Sequence, residues 1–201
     1  MTKFLDKAYQ ARDVASTRAL YDDWAASYEA EVAENGYATP ARCAEALKAH
    51  VNSLADPILD FGCGTGLSGL ALKLAGFETI DGVDLSAEML TEARAKNVDR
   101  DLTQIEAGAD LPNTNYGAVA AIGVIGAGAA PIDVLHLLMR ALPKRGKLVF
   151  SFNDHALEDP ANLRGVSEWT DCGAAIMLFK EHGDHLPGIG LGSCVYVLEK
   201  A

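Results

Sequence analysis

Residues 57–72 read PILDFGCGTGLSGLAL and place four glycines between two apolar runs. The first run is short enough for a buried strand, and the second has the spacing of an amphipathic helix. Glycine permits a sharp turn and lets a ligand approach the backbone closely. Such a turn also directs free N–H groups at the start of the helix towards a ligand. The stretch therefore predicts a strand–turn–helix unit with a ligand-binding turn, and a turn without a ligand is the alternative.

The chain beyond this unit continues to alternate between strand-like and helix-like runs, which favours a parallel sheet. Ser86 is expected to cap one helix, Asp159-Pro160 opens another, and Gly76 is suited to end the first. The predicted strands after the first are ETIDGVDL, LTQIEAG, YGAVAAIGV and KRGKLVFSF. Two further strand-like runs, AAIMLFKE and SCVYVLEK, are joined by the glycine-rich loop HGDHLPGIGLG. Because no helix separates them, they predict a final antiparallel hairpin.

The segment before the first strand has a helical pattern over residues 4–53. Thr39 followed by Pro40 predicts the N-cap and first residue of a helix with the sequence ARCAEALKAHV. We therefore expect an N-terminal helical cap over residues 1–53 and a ligand-binding core over residues 54–201, together forming one structural unit.

Two cofactor classes match the glycine turn. Gly64, Gly66 and Gly69 form the G-x-G-x-x-G pattern of dinucleotide-binding turns. The predicted strand ends one residue before Gly62, however, so the turn begins there and the acid Asp60 stands at its mouth. A carboxylate at that place repels a pyrophosphate but suits a ligand with an ammonium and a sulfonium group, such as S-adenosylmethionine. The position of Asp60 relative to the start of the turn therefore favours S-adenosylmethionine over NAD(P).

A second carboxylate, Asp84, ends the next strand about 20 residues after the glycines and suits hydrogen bonds to ribose hydroxyls. Either cofactor would use it, so Asp84 does not distinguish them.

The segment LDFGCGTG resembles motif I of the class I S-adenosylmethionine-dependent methyltransferases. The resemblance implies an α/β fold, a Rossmann-like three-layer sandwich around a seven-stranded, mostly parallel sheet that ends in an antiparallel hairpin. It also implies that Asp60 helps to hold the methionine end of the cofactor. The turn residues that would surround the amino-acid part and the ribose are Gly62, Cys63, Gly64 and Gly66.

The same resemblance assigns the adenine site. Leu85 would pack on the ring with Met89 nearby, Asp110 would meet the adenine amino group, and Leu111 would lie beside the ring. Met89 could instead be a core residue of its helix, and Asp110 could instead cap the turn before Pro112. Gly123, which follows the fourth strand, is another predicted cofactor contact.

The front of the chain carries Tyr21, Trp24 and Tyr28 at positions i, i+3 and i+7, which share one helix face. The face could be a packing stripe or a lid over the cofactor. With GYATP, IDGVDLSAEML and VFSFND, it resembles the Williams–Beuren-region methyltransferase-like group. By that resemblance Tyr21 and Tyr28 reach the cofactor, and Tyr37 is a further candidate.

The acceptor side carries few signals. The four residues after the fourth strand, 123–126, read GVIG and lack a polar side chain, and no Asn/Asp-Pro-Pro-Tyr motif of amino methylation is present. His155 follows the fifth strand and is the candidate base for an acceptor proton, with a loop histidine as the alternative. The cluster EHGDHLP is expected to be a solvated loop, because its spacing matches no known zinc set, and no metal site is predicted.

Composition narrows the possible partners. The chain of 201 residues has a formal net charge of −11, which disfavours nucleic acid and acidic membrane surfaces as partners. The start lacks a signal peptide's apolar region, and four cysteines without a CxxC pair suit a reducing cytoplasm. We expect a cytoplasmic S-adenosylmethionine-dependent methyltransferase with a small-molecule acceptor and an undefined oligomeric state. The alternatives are an NAD(P)-dependent oxidoreductase and a non-catalytic protein that binds S-adenosylmethionine or a protein partner.

Overall fold

The computed structural model describes residues 14–109, 111, 116–126 and 129–201. The strands are β1 Ile58–Phe61, β2 Ile80–Asp84, β3 Asp101–Gln104, β4 Ala118–Ala121, β5 Lys147–Asn153, β6 Ala175–Leu186 and β7 Leu191–Lys200. The helices are α1 Val14–Glu34, α2 Thr39–Lys48, α3 Leu67–Ala75, α4 Ala87–Lys96, α5 Asp133–Ala141, α6 Asp154–Leu157 and α7 Pro160–Asp171. A short 3-10 turn, Pro187–Ile189, joins β6 to β7.

The strands of the described residues form one seven-stranded sheet in the order β3-β2-β1-β4-β5-β7-β6. Strands β1 to β5 are parallel, and β7 runs antiparallel to both β5 and β6. The predicted class I arrangement with a final antiparallel hairpin is confirmed. Strand order reverses between β1 and β4, and ligands of open α/β sheets bind at such a switch point, beyond the carboxyl ends of the strands.

Side chains of the strands alternate between two apolar layers. On β5, Leu148 and Phe150 face the cluster that contains α5 and α7, while Val149 faces the cluster that contains α2 and α3. Each of these three side chains is fully buried. Full burial of such a side chain contributes roughly 1.5–3 kcal/mol, so both layers hold the sheet in place.

The two N-terminal helices have different surroundings. Helix α2 belongs to one layer of the sandwich, where Cys43, Ala44 and Leu47 are fully buried with Leu72 of α3. Helix α1 packs instead against α4, and its Trp24 lies in a small separate cluster with the hairpin. The division of the chain at residue 53 stays a prediction.

Local signals set most helix ends. The Ser86 side chain accepts a hydrogen bond from the Met89 N–H group and caps α4, and Asp159 caps α7 in the same way. Gly76 ends α3 with φ of 110°, a left-handed conformation that glycine adopts readily.

Thr39 does not act as the predicted N-cap. Helix α2 begins at Thr39 itself, and the preceding cap position is Ala38, which makes no side-chain cap. The Thr39 hydroxyl instead bonds His185 Nδ1 at 2.7 Å and Ser193 Oγ at 2.8 Å, because the hairpin presents buried polar partners to it.

The expected solvated loop EHGDHLP is wrong, because most of that segment belongs to β6. Its backbone pairs with β7 as far as Leu186 opposite Leu191, so only residues 187–190 form the turn. His182 bonds Asp154 at 2.8 Å between ring nitrogen and carboxylate oxygen, while His185 is buried. Within the described residues, no group of three or more metal-ligating side chains is arranged to hold an ion.

Among the helices of the described segments, none is both long and apolar enough to cross a membrane.

Candidate cofactor site

A cavity of about 570 Å³ opens beside the glycine turn, among residues that follow the carboxyl ends of β1, β2 and β4. Its volume lies within the range of small-molecule sites, about 300–1,000 Å³. Of the sequence-predicted residues it is lined by Tyr28, Tyr37, Gly62, Cys63, Gly64, Asp84, Leu85, Met89 and Gly123.

The glycine turn gives the cavity a bare backbone wall. Gly62, Gly64 and Gly66 have φ of 69°, 55° and 89°, a region that L side chains rarely adopt. A Cβ atom on Gly62 would stand 2.6 Å from Val124 Cγ2, so the turn and the segment after β4 are in close contact. A Cβ atom on Gly64 would meet nothing within 4 Å. The turn is therefore a cradle that a side chain would fill, which fits a ligand held against the backbone.

The Asp84 carboxylate is oriented by two backbone donors. Gly64 N–H donates to Oδ2 at 2.9 Å, and Ser86 N–H donates to Oδ1 at 2.9 Å. Burial raises the pKa of Asp84 above its ordinary value, and these N–H groups partly oppose the rise. A carboxylate has about four acceptor sites, so two remain for a pair of ligand hydroxyls.

Asp60 lies beneath the turn instead of at its mouth. Its side chain is fully buried and does not line the cavity, and Ser68 Oγ donates to its Oδ2 at 2.6 Å. Burial raises the pKa of Asp60 to about 7, with the Ser68 hydrogen bond opposing the rise. Its Oδ1 makes no hydrogen bond within the described residues. The predicted contact with the methionine end of the cofactor stays a prediction.

The surroundings of two other turn residues, Cys63 and Gly66, explain why a buried thiol and a glycine stand at these positions. Burial raises the pKa of the Cys63 thiol well above its usual range, which keeps it protonated and a poor nucleophile. Gly66 does not line the cavity, and a Cβ atom there would stand 3.2 Å from Ala93 of α4. Gly66 therefore allows the turn to approach α4 closely.

The predicted adenine residues separate into three cases. Leu85 and Met89 line the cavity, and Met89 is also buried, so the packing and ligand interpretations are compatible. Leu111 packs against the core cluster and does not line the cavity. Asp110 lies outside the described residues.

Helix α1 covers one side of the cavity. Tyr28 lines it and packs edge-on against the buried Trp24, with ring centroids 4.8 Å apart. The side chain of Tyr21 lies outside the described set. Tyr28 thus both packs against Trp24 and lines the cavity, and the interpretation of this helix face as a lid over the cofactor stays a prediction.

Two ionic contacts tie α1 to the cavity walls. Lys96 of α4 pairs with Glu29 of α1 and also donates to the Thr65 carbonyl of the glycine turn at 2.7 Å. Arg18 of α1 pairs with Glu106 after β3 at 3.5 Å, and both residues line the cavity or its rim.

His155 is exposed on α6 and does not line the cavity. The structure thus does not bring this candidate base to the predicted cofactor residues.

Sequence reasoning missed the wall formed by α5. Asp133, Val134, Leu137 and Arg140 line the cavity at positions i, i+1, i+4 and i+7 of that helix. The helix itself was predictable, and its spacing indicates one face, but whether that face borders a cavity depends on packing against the sheet.

Comparisons with known proteins concern the family and the fold of the chain. The profile of the methyltransferase domain family matches residues 32–187. Human methyltransferase-like protein 27 is 31% identical over 136 residues, which make up 64% of this chain and 54% of that protein. The chain therefore spans about half the length of this curated relative.

Solved structures share the fold. A Haloferax volcanii methyltransferase in complex with the Trm112 methyltransferase activator has a TM-score of 0.69 and 17% identity, covering 92% of this chain and 97% of its own. Magnesium protoporphyrin IX methyltransferase from Synechocystis PCC 6803, with bound S-adenosylmethionine, has a TM-score of 0.60 and 15% identity, covering 98% and 90%. The family resemblance deduced from the glycine turn is confirmed: the chain belongs to the methyltransferase domain family.

Proposed function

We propose that the protein transfers a methyl group from S-adenosylmethionine to a small-molecule acceptor. The observation that carries the proposal is the match of residues 32–187 to the methyltransferase domain family, which favours S-adenosylmethionine as the donor. The Asp84 carboxylate, fixed by the Gly64 and Ser86 N–H groups at the rim of the cavity, supplies the ribose-binding group that this donor needs.

Each wall of the cavity has a role in this proposal. Asp84 accepts hydrogen bonds from ribose hydroxyls, and Leu85 with Met89 offers an apolar surface to the adenine. Residues 62–66 admit the amino-acid part of the cofactor, and α1 excludes water from the site. When bound, S-adenosylmethionine supplies a methyl group activated by its sulfonium. The chain's own contribution is binding, orientation and exclusion of water.

A small acceptor is favoured by the shape and charge of the site. Near the end of β4 the cavity is lined by the apolar side chains of Ile122, Val124 and Pro131. The formal net charge of −11 opposes the approach of a polyanion. We therefore propose an acceptor other than nucleic acid.

Calorimetry with S-adenosylhomocysteine and NADH tests the cofactor. We expect S-adenosylhomocysteine to bind and NADH not to bind. Asp84→Ala should weaken S-adenosylhomocysteine at least about tenfold, because hydrogen bonds to a charged group contribute about 1.5–3 kcal/mol each. Asp56→Ala is the matched control, since Asp56 is exposed and does not line the cavity. Binding of NADH alone would support the oxidoreductase alternative.

A second experiment tests turnover. The protein is incubated with S-adenosylmethionine and a library of small thiols, amines and hydroxyl compounds, and S-adenosylhomocysteine formation is measured. Formation with at least one compound, lost in Asp84→Ala, is the expected result. Tight cofactor binding without turnover on any compound would instead support the non-catalytic alternative.

A further inference from the structure

The connection between α1 and α2 places a phenol over the end of β4. Tyr37 Oη lies 2.7 Å from the position that a Cβ atom on Gly123 would take. The backbone at Gly123 is fixed, because its N–H group donates to Ser151 Oγ at 3.0 Å. Residues 123–126 carry no polar side chain of their own, so the Tyr37 hydroxyl occupies the space that a side chain at position 123 would need.

A chain of buried polar groups lies behind Tyr37. Its ring packs edge-on against the His185 ring, with centroids 5.3 Å apart and an interplanar angle of 86°. His185 Nδ1 bonds Thr39 Oγ1 at 2.7 Å, and Thr39 Oγ1 bonds Ser193 Oγ at 2.8 Å. Arg42 donates to Ser193 Oγ at 3.0 Å and so begins the chain.

Arg42 can only donate, so Ser193 Oγ accepts from it, and the Thr39 hydroxyl joins Ser193 Oγ to His185 Nδ1. Burial lowers the pKa of His185 to about 4, which keeps the ring neutral. The ring that packs against Tyr37 is therefore uncharged at neutral pH and is held in place by the hydrogen bond at its Nδ1.

The backbone around Tyr37 is held as well. Ala38 N–H donates to the His185 carbonyl at 2.9 Å, and Gly188 N–H donates to the Asn35 carbonyl at 3.0 Å. Both contacts join the connection at residues 35–38 to the β6–β7 hairpin. Tyr37 is therefore attached to the sheet on both sides and does not depend on α1 alone.

We propose that Tyr37 binds the reacting group of the acceptor, and that Arg42, Ser193, Thr39 and His185 act as positioning residues for it. The inference rests on the proposed function. The Tyr37 oxygen accepts a hydrogen bond from the acceptor's O–H, N–H or S–H group, and Tyr37 neither gains nor loses a proton. The apolar wall formed by Pro40, Ile122 and Val124 selects a compact, uncharged body around that group.

Sinefungin tests this contact before an acceptor is known. It carries an amino group where S-adenosylmethionine carries the transferable methyl, whereas S-adenosylhomocysteine carries nothing there. A hydroxyl at the transfer point should bind that amine. We expect Tyr37→Phe to weaken sinefungin about tenfold and S-adenosylhomocysteine less than about twofold, as for loss of one hydrogen bond to a charged group. Both affinities are measured by calorimetry on the full chain.

Tyr116→Phe is the matched control. Tyr116 donates to Asp81 Oδ2 at 2.8 Å, precedes β4 at the opposite end of that strand, and does not line the cavity. The ratio of the two affinities should remain that of the unchanged protein in this variant.

The positioning residues are tested with two variants of Thr39. Thr39→Val removes the hydroxyl and should reduce the preference for sinefungin, whereas Thr39→Ser keeps the hydroxyl and should restore it. If the changes at Thr39 acted only by loosening the packing, both variants would bind sinefungin and S-adenosylhomocysteine less tightly.

The results separate the two proposals. Failure of the unchanged protein to bind S-adenosylhomocysteine would refute the proposed function. If the protein binds it but Tyr37→Phe leaves the affinity ratio unchanged, the assignment of Tyr37 is overturned. Should Tyr37→Phe not fold, an unchanged ratio in Thr39→Val would overturn it.

Discussion

Two aspartates lie near the carboxyl ends of the first two strands, Asp60 one residue before the end of β1 and Asp84 at the end of β2, and the fold gives them different surroundings. Asp84 lies at the rim of the cavity and accepts two backbone N–H groups. Asp60 lies under the turn, where the Ser68 hydroxyl donates a hydrogen bond to its side chain. The sequence indicates that each acid lies near the end of a strand, but the direction of each side chain depends on the turn that follows. The carboxylate at the cavity is therefore Asp84, which suits either cofactor, so the choice of S-adenosylmethionine rests on the match to the methyltransferase domain family.

The burial of Asp60 predicts an unusual pH dependence of stability. Its pKa rises from an ordinary value of 3.8 when unfolded to about 7 when folded. The folded state thus holds the proton more tightly, and stability is lost as the pH rises from about 4 to 7. Asp60→Asn removes this loss. We expect it to raise the free energy of unfolding at pH 8 by about 1–4 kcal/mol, and by less at pH 5.

Urea unfolding at the two pH values measures the effect of Asp60→Asn. Asp56→Asn, at an exposed site, should change neither value by more than about 0.5 kcal/mol. A lower stability of Asp60→Asn at pH 8 would show instead that the native carboxylate has a stabilising partner.

The openness of the turn at Gly64 gives a second prediction. Gly64 and Gly173 both have positive φ, 55° and 75°, and a Cβ atom on either would meet nothing within 4 Å. Changing either to Ala should cost about 1–2 kcal/mol for the left-handed backbone. Only Gly64 lines the cavity, so only Gly64→Ala should weaken S-adenosylhomocysteine, by about tenfold or more. Equal calorimetric affinities for the two variants would mean that the ligand does not contact the turn.

At the scale of elements, Lys96 links two helices to the turn. Its ammonium pairs with Glu29 of α1 and donates to the Thr65 carbonyl, and its side chain is 18% exposed. A pair of this exposure contributes about 0.2–1 kcal/mol and weakens in salt. Lys96→Met should therefore leave the sheet stable but loosen α1. Hydrogen exchange of α1 amides should become faster, while exchange in β1 and β4 is unchanged.

The contribution of the Lys96–Glu29 ion pair is measured with the variants Lys96→Met and Glu29→Gln, each alone and both together. Their coupling energy, from unfolding at low salt, should fall when salt is raised to about 1 M. Coupling that is independent of salt would assign the effect to packing of the lysine stem and not to charge.

The elements themselves differ in how far the sequence determines them. Ser86 and Gly76 act within a few residues of their own positions, so local chemistry predicts them. Thr39 carries the same kind of signal, yet its hydroxyl bonds residues about 150 positions away in the chain. The end of β6 likewise forms because β7 pairs with it, in spite of a polar composition. Long-range partners of this kind cannot be deduced from local sequence.

At the scale of the whole molecule, the cavity is assembled from distant parts of the chain. The turn at residues 62–66 and Asp84 were predictable, because the residue types and their spacing are typical of a ligand-binding strand–turn–helix unit. Tyr37 was only a further candidate, since its place over Gly123 depends on the hairpin that holds residues 35–38. In the described part of the site, several of the residues predicted to bind the cofactor line the cavity, but Asp60, Gly66 and Leu111 do not. The residues that face an acceptor could not be predicted until the fold was known.

The packing of α2 makes a prediction about the molecule as one unit. Cys43, Ala44 and Leu47 fill one layer of the sandwich and are fully buried. Burial of such side chains contributes several kcal/mol, a large share of a typical net stability of about 5–15 kcal/mol. A chain that begins at residue 54 should therefore fail to unfold cooperatively in urea.

A chain that begins at residue 35 keeps α2 and the connection that carries Tyr37, and loses residues 1–34, which include α1. It should unfold cooperatively, because the layers of the sandwich are intact. Its affinity for S-adenosylhomocysteine should fall, since Arg18 and Tyr28 no longer border the cavity. Circular dichroism, urea unfolding and calorimetry on the two shortened chains measure these outcomes. Cooperative unfolding of the chain from residue 54 would show that the boundary at residue 53 separates a helical cap from an independent core. If that chain does not unfold cooperatively, α2 belongs to the core, and α1 is the element that covers the site.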